Sequence, residues 1–277
     1  MAVLLGLLVA VSFGSGDFLG GTASRRVNTL AVLAVVQVCA LAGAVVYALA
    51  LGGHVSTGDL ALGAAAGSLN VVALGCLYAG LATGRMGIVA PLTAMIAACI
   101  PVVWGVANGE DLGTVSVVGV VLAISAGGLI ARERSHPGER GRSRAVALAF
   151  GAGLLFGTSL VMYSETGHHS GAWPVLAGRT TAAVLVLAVV LVGRRSLAFA
   201  PPERWMAIGA GVLDVTATLL LLIAVRHGLV ALVAPVAALG PAFTVMWAWL
   251  VLREPVGRVQ LVGIAAGIMG LVLIAAG

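Results

Sequence analysis

Lysine is absent from the 277 residues, and all 15 basic side chains are arginine. A phosphate-binding loop of the GxxxxGK[ST] kind and a Schiff-base centre both need a lysine amine, so both are excluded. Charge of either sign is scarce, at 9% of residues, against 61% hydrophobic residues, a balance that excludes an ordinary soluble core. Cysteine is nearly missing. Cys39, Cys76 and Cys99 stand singly inside apolar segments, without a CxxC pair, so neither a disulfide framework nor a zinc site is expected. No cofactor is implied by any motif. The net charge of +5 comes from arginines dispersed over short connections rather than gathered on one face, which argues against nucleic acid and for topology signals. Arg25 and Arg26 follow the first apolar run instead of preceding it, so a cleaved signal peptide is not expected.

What fills the chain is a succession of long apolar runs. They fall at about Ala2 to Gly21, Leu30 to Leu51, Leu60 to Leu81, Met86 to Ala107 and Val115 to Ala131. Five more follow, at about Ala145 to Tyr163, Trp173 to Gly193, Trp205 to Val225, Leu229 to Leu252 and Val259 to Ala276. A hydrocarbon layer about 30 Å thick is crossed by roughly 20 residues of helix. Lipid offers no partner to an exposed peptide group, and unbroken apolar runs lack the alternation of a barrel strand. The expectation is an all-α membrane protein with ten transmembrane helices. One stretch resembles a linker: ARERSHPGERGRSRA, residues 131 to 145, charged and almost central.

The two halves repeat one another. At an offset of 144, Ala90-Pro91 meets Ala234-Pro235, Gly67 meets Gly211, Asn70 meets Asp214 and Glu110 meets Glu254; at 143, Phe13-Gly14 meets Phe156-Gly157. Five helices per repeat is an odd number, so the second repeat enters the membrane from the opposite side. The chain then divides into a first repeat, 1–131, a charged linker, 132–144, and an inverted second repeat, 145–277. Inverted repeats recur in secondary transporters, with the solute site near the midplane between them. Thirteen arginines fall in odd-numbered connections and one, Arg226, in an even-numbered one. The positive-inside rule places the odd connections in the cytoplasm and both termini outside.

The segment LYAGLATGRMGIVAPLTAMIAACIPVVWGVANGEDLGTVSVVGVVLAISAGGLIA and its counterpart LLIAVRHGLVALVAPVAALGPAFTVMWAWLVLREPVGRVQLVGIAAGIMGLVLIA share three elements. These are a short connection before an AP-containing helix, a glutamate at that helix's end (Glu110, Glu254) and a final glycine-bearing helix. In these elements the chain resembles the EamA domain of the drug/metabolite transporter superfamily, in two copies. The resemblance implies a ten-helix secondary carrier of small metabolites or toxic compounds, with a central cavity lined from both repeats. It also implies termini in the cytoplasm, against the arginine distribution, which we follow. Arg179 in LAGRTTAA is family-like, but its matching place in the second run holds Gln37, so the arginine's role is not symmetric.

Ionisable groups inside spans point to function, because each costs roughly 2.5 to 3.5 kcal/mol at a helix centre on insertion scales. Asp214 sits mid-run in GAGVLDVTATLL and its mate Asn70 in GAAAGSLNVVAL. Both are expected to face one interior cavity, where the acid attracts a cation or carries a proton, the alternative being a polar pair that pins packing. Asp17, in FGSGDFLGG, is either a site residue or an interfacial cap. Arg179 either holds a substrate carboxylate or neutralises Asp214 or Asp17. His168 and His169, in YSETGHHSG, read as a solvated loop, and Glu110 and Glu254 as bundle-end caps.

The candidate substrate-binding or coupling residues are therefore Asp17, Gln37, Asn70, Arg179 and Asp214. The expected function is export of a small organic solute across the cell (inner) membrane, driven by a gradient of protons or of an exchanged solute, with lipid as the surrounding partner. An intramembrane enzyme would need a GxSxG, an HExxH or a paired-carboxylate motif near a lipid-facing loop, none of which occurs. A channel would need rings from an oligomer, which the repeat within one chain does not require.

Overall fold

The computed structural model describes residues 2–109, 113–132, 141–194, 197, 199–226, 236–255 and 257–276. Among these residues the fold is all-helical, with ten α-helices, one short 3-10 turn and no strand. The helices are α1 (Ala2–Ser24), α2 (Thr29–Leu51), α3 (Thr57–Thr83), α4 (Met86–Ala107), α5 (Thr114–Arg132), α6 (Arg142–Ser164), α7 (Trp173–Val192), α8 (Pro201–Arg226), α9 (Gly240–Leu252) and α10 (Arg258–Ala276). Nine of them lie within a few residues of their apolar runs; of the run Leu229 to Leu252, α9 covers the part from Gly240 onward, and residues 229–235 lie outside the described residues. The extensions come from polar starts that the hydropathy pattern leaves out: Asn28 accepts a hydrogen bond from the Leu30 amide, and Ser56 caps α3 through Asp59 N. Glu110 and most of the central linker lie outside the described residues, as do Ala234 and Pro235.

Seven helices are long and apolar enough to cross a membrane: α1 to α4 and α6 to α8; the apolar stretches Thr114–Ala126, Gly240–Leu252 and Leu261–Ile274 are shorter. The outer surface of the bundle is apolar. Leu49, Leu191 and Val192 are 75%, 74% and 86% exposed, an arrangement that water would penalise and lipid accepts. Along α2 the division is by face, with Val32, Val36, Ala40, Ala44 and Tyr47 turned inward and Val38, Val45, Val46 and Leu49 outward. The chain is a multi-pass membrane protein.

Small residues bring the helices close. A methyl group at Gly67 of α3 would strike the backbone of Gly178 in α7, so the two helices touch through their main chains. Gly14 of α1 meets Gly240 and Phe243 of α9 in the same way, and Gly157 of α6 meets Ala97 and Ile100 of α4. The extensive pairings are α1 with α8, α3 with α6 and α7, α4 with α6, α5 with α10, α2 with α7 and α8, and α1 with α9.

Polar connections collect at the two ends of this bundle. At one end Arg25, just past α1, donates from Nε to Leu81 O at 3.0 Å and from Nη2 to Gly84 O at 3.1 Å; Nη2 also meets Glu254 Oε1 at 2.6 Å. Glu254 Oε2 accepts the Met86 amide at 2.8 Å, capping α4, and Arg85 reaches Pro255 O. Arg26 pairs with Glu203 at 3.3 Å beside them. At the other end the His54 amide donates to His169 O at 2.8 Å, Ser170 Oγ donates to Asp59, and Trp104 Nε1 donates to Glu165 at 3.0 Å. The first end carries connections one, three, seven and nine; the second carries two and six.

Candidate functional site

Between the ends lies a cavity of about 520 Å³, a volume that suits a metabolite-sized solute. Its walls come from α1, α3, α4, α6, α7, α9 and α10 together with Ala237 and Ala238. Two features of the sequence shape it. In α4 the wall is Ala90, Thr93, Ala94, Ala97 and Ala98, a run of small side chains around Pro91 and before Pro101. Phe13 of α1 and Phe156 of α6, aromatics that match at an offset of 143, line the cavity as well.

The cavity is asymmetric along the bundle. Toward the arginine-rich end it reaches Leu77 and Ala90. Beyond them Tyr78, Leu81 and Met86, with exposures of 2%, 0% and 0%, separate it from the Arg25–Glu254 cluster. Toward the other end it reaches Tyr163, next to the last residue of α6.

Six polar side chains define its chemistry: the charged Asp17 and Arg179, and the neutral Asn70, Thr93, Ser159 and Tyr163. Asp17 lies seven residues before the end of α1, about 10 Å inside it. Arg179 pairs with Asp214, Nη2 to Oδ2, at 3.0 Å, with the side chains only 16% and 21% exposed. Asp214 is not in the cavity wall. It lies behind Arg179 in a narrow crevice shared with Ala40, Ala44, Tyr47 and Thr218, where the Tyr47 hydroxyl donates to Val215 O at 2.5 Å. Asn70 and Asp214, which match at the sequence offset, thus line two different spaces, and Arg179 is in the wall of both.

Gln37 does not reach the cavity either. It is fully buried in α2, and neither its Oε1 nor its Nε2 has a hydrogen-bond partner among the described residues. His169 serves the loop contact through its backbone, and Glu254 is a bundle-end partner of Arg25 and of the α4 amide. The sequence reading passed over Tyr163, Tyr47 and the two phenylalanines as site residues. Phe13 and Phe156 carried a signal, since aromatic residues are rare here and these two recur at the repeat offset. Tyr47 and Tyr163, at 47 and 163, share no offset with each other.

No curated protein matches the chain. A solved crystal structure, titled only as that of a protein, superposes with a TM-score of 0.65 over 99% of this chain and 97% of its own, at 14% identity, a likeness of fold. Residues 143–276, from the start of α6 to the end of α10, match the model of the EamA-like transporter family. A bundle of apolar helices around a partly charged cavity is what a carrier of small solutes requires, and residues 143–276, the second half of the chain, are an EamA-like transporter domain.

Proposed function

We propose that the protein is a secondary active transporter that exports a small organic solute across the cell (inner) membrane by alternating access. Its frame is ten transmembrane helices in two inverted five-helix repeats, 1–131 and 145–277, with both termini outside. The observation that carries this reading is the cavity itself: walled from both halves, sealed at the arginine-rich end and extending to the opposite end. Helix packing supports the inverted repeat. α1 rests on α8 as α6 rests on α3, α2 on α8 as α7 on α3, and α1 on α9 as α6 on α4, while α5 meets α10 and α2 meets α7 across the pseudo-two-fold axis. Two such halves exchange conformations by rocking about a fixed site. With the arginine-rich end in the cytoplasm, the structure is the outward-facing state, and the Arg25–Glu254 cluster is the closed inner gate. No nucleotide-binding signature occurs, so a gradient supplies the work.

Single cysteines at Leu81, behind the gate, and at Tyr163, at the open end, test the cycle in a background lacking Cys39, Cys76 and Cys99. Impermeant maleimide is expected to label Tyr163→Cys from the outer face, and Glu254→Gln is expected to raise labelling of Leu81→Cys from the inner face while lowering the outer labelling. Labelling of the two positions that does not trade off would identify a channel and overturn alternating access.

A further inference from the structure

Among the described residues, the charges in and around the cavity do not balance. Arg179 and Asp214 form a neutral pair, while Asp17, in the cavity wall, has neither a hydrogen bond nor an ion pair among the described residues. The remaining wall residues carry no charge. Gly16, the neighbour of Asp17, packs against α8 at Ala210, Leu213 and Asp214, so the unpaired carboxylate stands beside the paired one and adds to its negative field. We infer that the cavity is the site of a singly charged organic cation, an aromatic or alkyl amine, with Asp17 as its counter-ion.

The inference rests on the transporter reading only in taking this cavity as the solute site. Three further features agree with it. The walls offer acceptors: Thr93 Oγ1 donates its proton to Ala149 O at 3.2 Å and Ser159 Oγ to Ala66 O at 2.9 Å, which leaves only lone pairs on both hydroxyls. An ammonium brings donors and no acceptor, so it complements such a wall. Phe13, Phe156 and Tyr163 line the cavity, and aromatic rings attract a cation to their faces, most strongly where water is displaced. A zwitterion would leave the single negative charge of Asp17 and the Arg179–Asp214 pair uncompensated, and an anion would double it. Arg179 has spare N–H donors, but Asp214 already takes its charge.

The test uses one ring with three charges. Equilibrium binding of tyramine, tyrosine and 4-hydroxyphenylacetate to the purified full-length protein is expected to rank tyramine first by at least tenfold. Benzyltrimethylammonium is expected to compete with tyramine. Asp17→Asn is expected to weaken tyramine at least tenfold and to leave tyrosine unchanged, and Asp17→Glu to retain tyramine binding, which separates loss of charge from loss of fold. Tighter binding of tyrosine or the acid, binding of none of the three at millimolar concentration, or unchanged tyramine binding in Asp17→Asn would each overturn the inference. Tyramine binding without transport in proteoliposomes would overturn the transporter reading and leave the cation site standing; transport of a neutral or acidic solute without tyramine binding would do the reverse.

Discussion

The Arg25 guanidinium meets the Glu254 carboxylate at 2.6 Å although 229 residues separate them. That one contact joins the end of α1 to the end of α9. The other oxygen of Glu254 holds the first amide of α4, and two further donors of Arg25 hold the end of α3. Four helix ends from both halves are therefore fastened through two side chains, at the end where the cavity is closed.

The strength of this latch is measurable. Both side chains are partly exposed, at 26% and 14%, so the coupling between them is expected to be about 1 kcal/mol, between the values for surface and buried pairs. A double-mutant cycle of Arg25→Ala and Glu254→Gln, read by unfolding of the protein in detergent, gives that number. A coupling within error of zero would mean that the contact does not hold the gate.

Arg179 and Asp214 are expected to respond differently. Each single substitution, Arg179→Ala or Asp214→Ala, leaves an uncompensated charge inside the bundle. The loss is expected to be about 2 to 3 kcal/mol, below the figure for a sealed pair because both side chains retain some exposure (16% and 21%). The double variant, which removes both charges, is expected to be more stable than either single one. Additive losses would show that the two charges do not compensate each other.

Orientation is the third expectation. Thirteen arginines in odd-numbered connections, several of them held at the Arg25–Glu254 end, place that end in the cytoplasm. A periplasmically active reporter fused after Gly277 is expected to be active, and one inserted in the 132–144 linker inactive. The opposite pattern would invert the bundle and make the present state inward-facing.

The helices were legible because lipid imposes length and hydropathy on each of them: the run Met86 to Ala107 coincides with α4. The sequence offset singled out rare residues that recur, as at Phe13 and Phe156, and both line the cavity. What periodicity could not supply is the rotation of each helix against its neighbours. Asn70 and Asp214 match at the sequence offset, yet Asn70 lines the cavity and Asp214 the crevice, where it pairs with Arg179, a residue whose matching place in α2 holds Gln37. The latch was invisible for another reason: Arg25 and Glu254 are ordinary helix-end charges until the fold brings the ends together.

Gln37 carries the last expectation. It lies one turn from Ala40 on the face of α2 that continues through Ala44 to Tyr47, the wall of the crevice that holds Arg179 and Asp214. An amide with no exposure and no partner costs about 1 to 3 kcal/mol, and an apolar residue of similar shape removes that cost. In a bundle that alternates between two states, such a residue is explained if the second state brings a partner to it, as a shift of α7 or α8 along this face would do. Gln37→Leu is then expected to raise the stability of the state described here by about 1 kcal/mol and to slow transport, because the second state loses what the amide provided. Thermal unfolding and vesicle uptake measured on the same variant check both halves of this expectation. A variant that is less stable yet transports normally would show that the amide belongs to the packing of this state and has no part in the cycle.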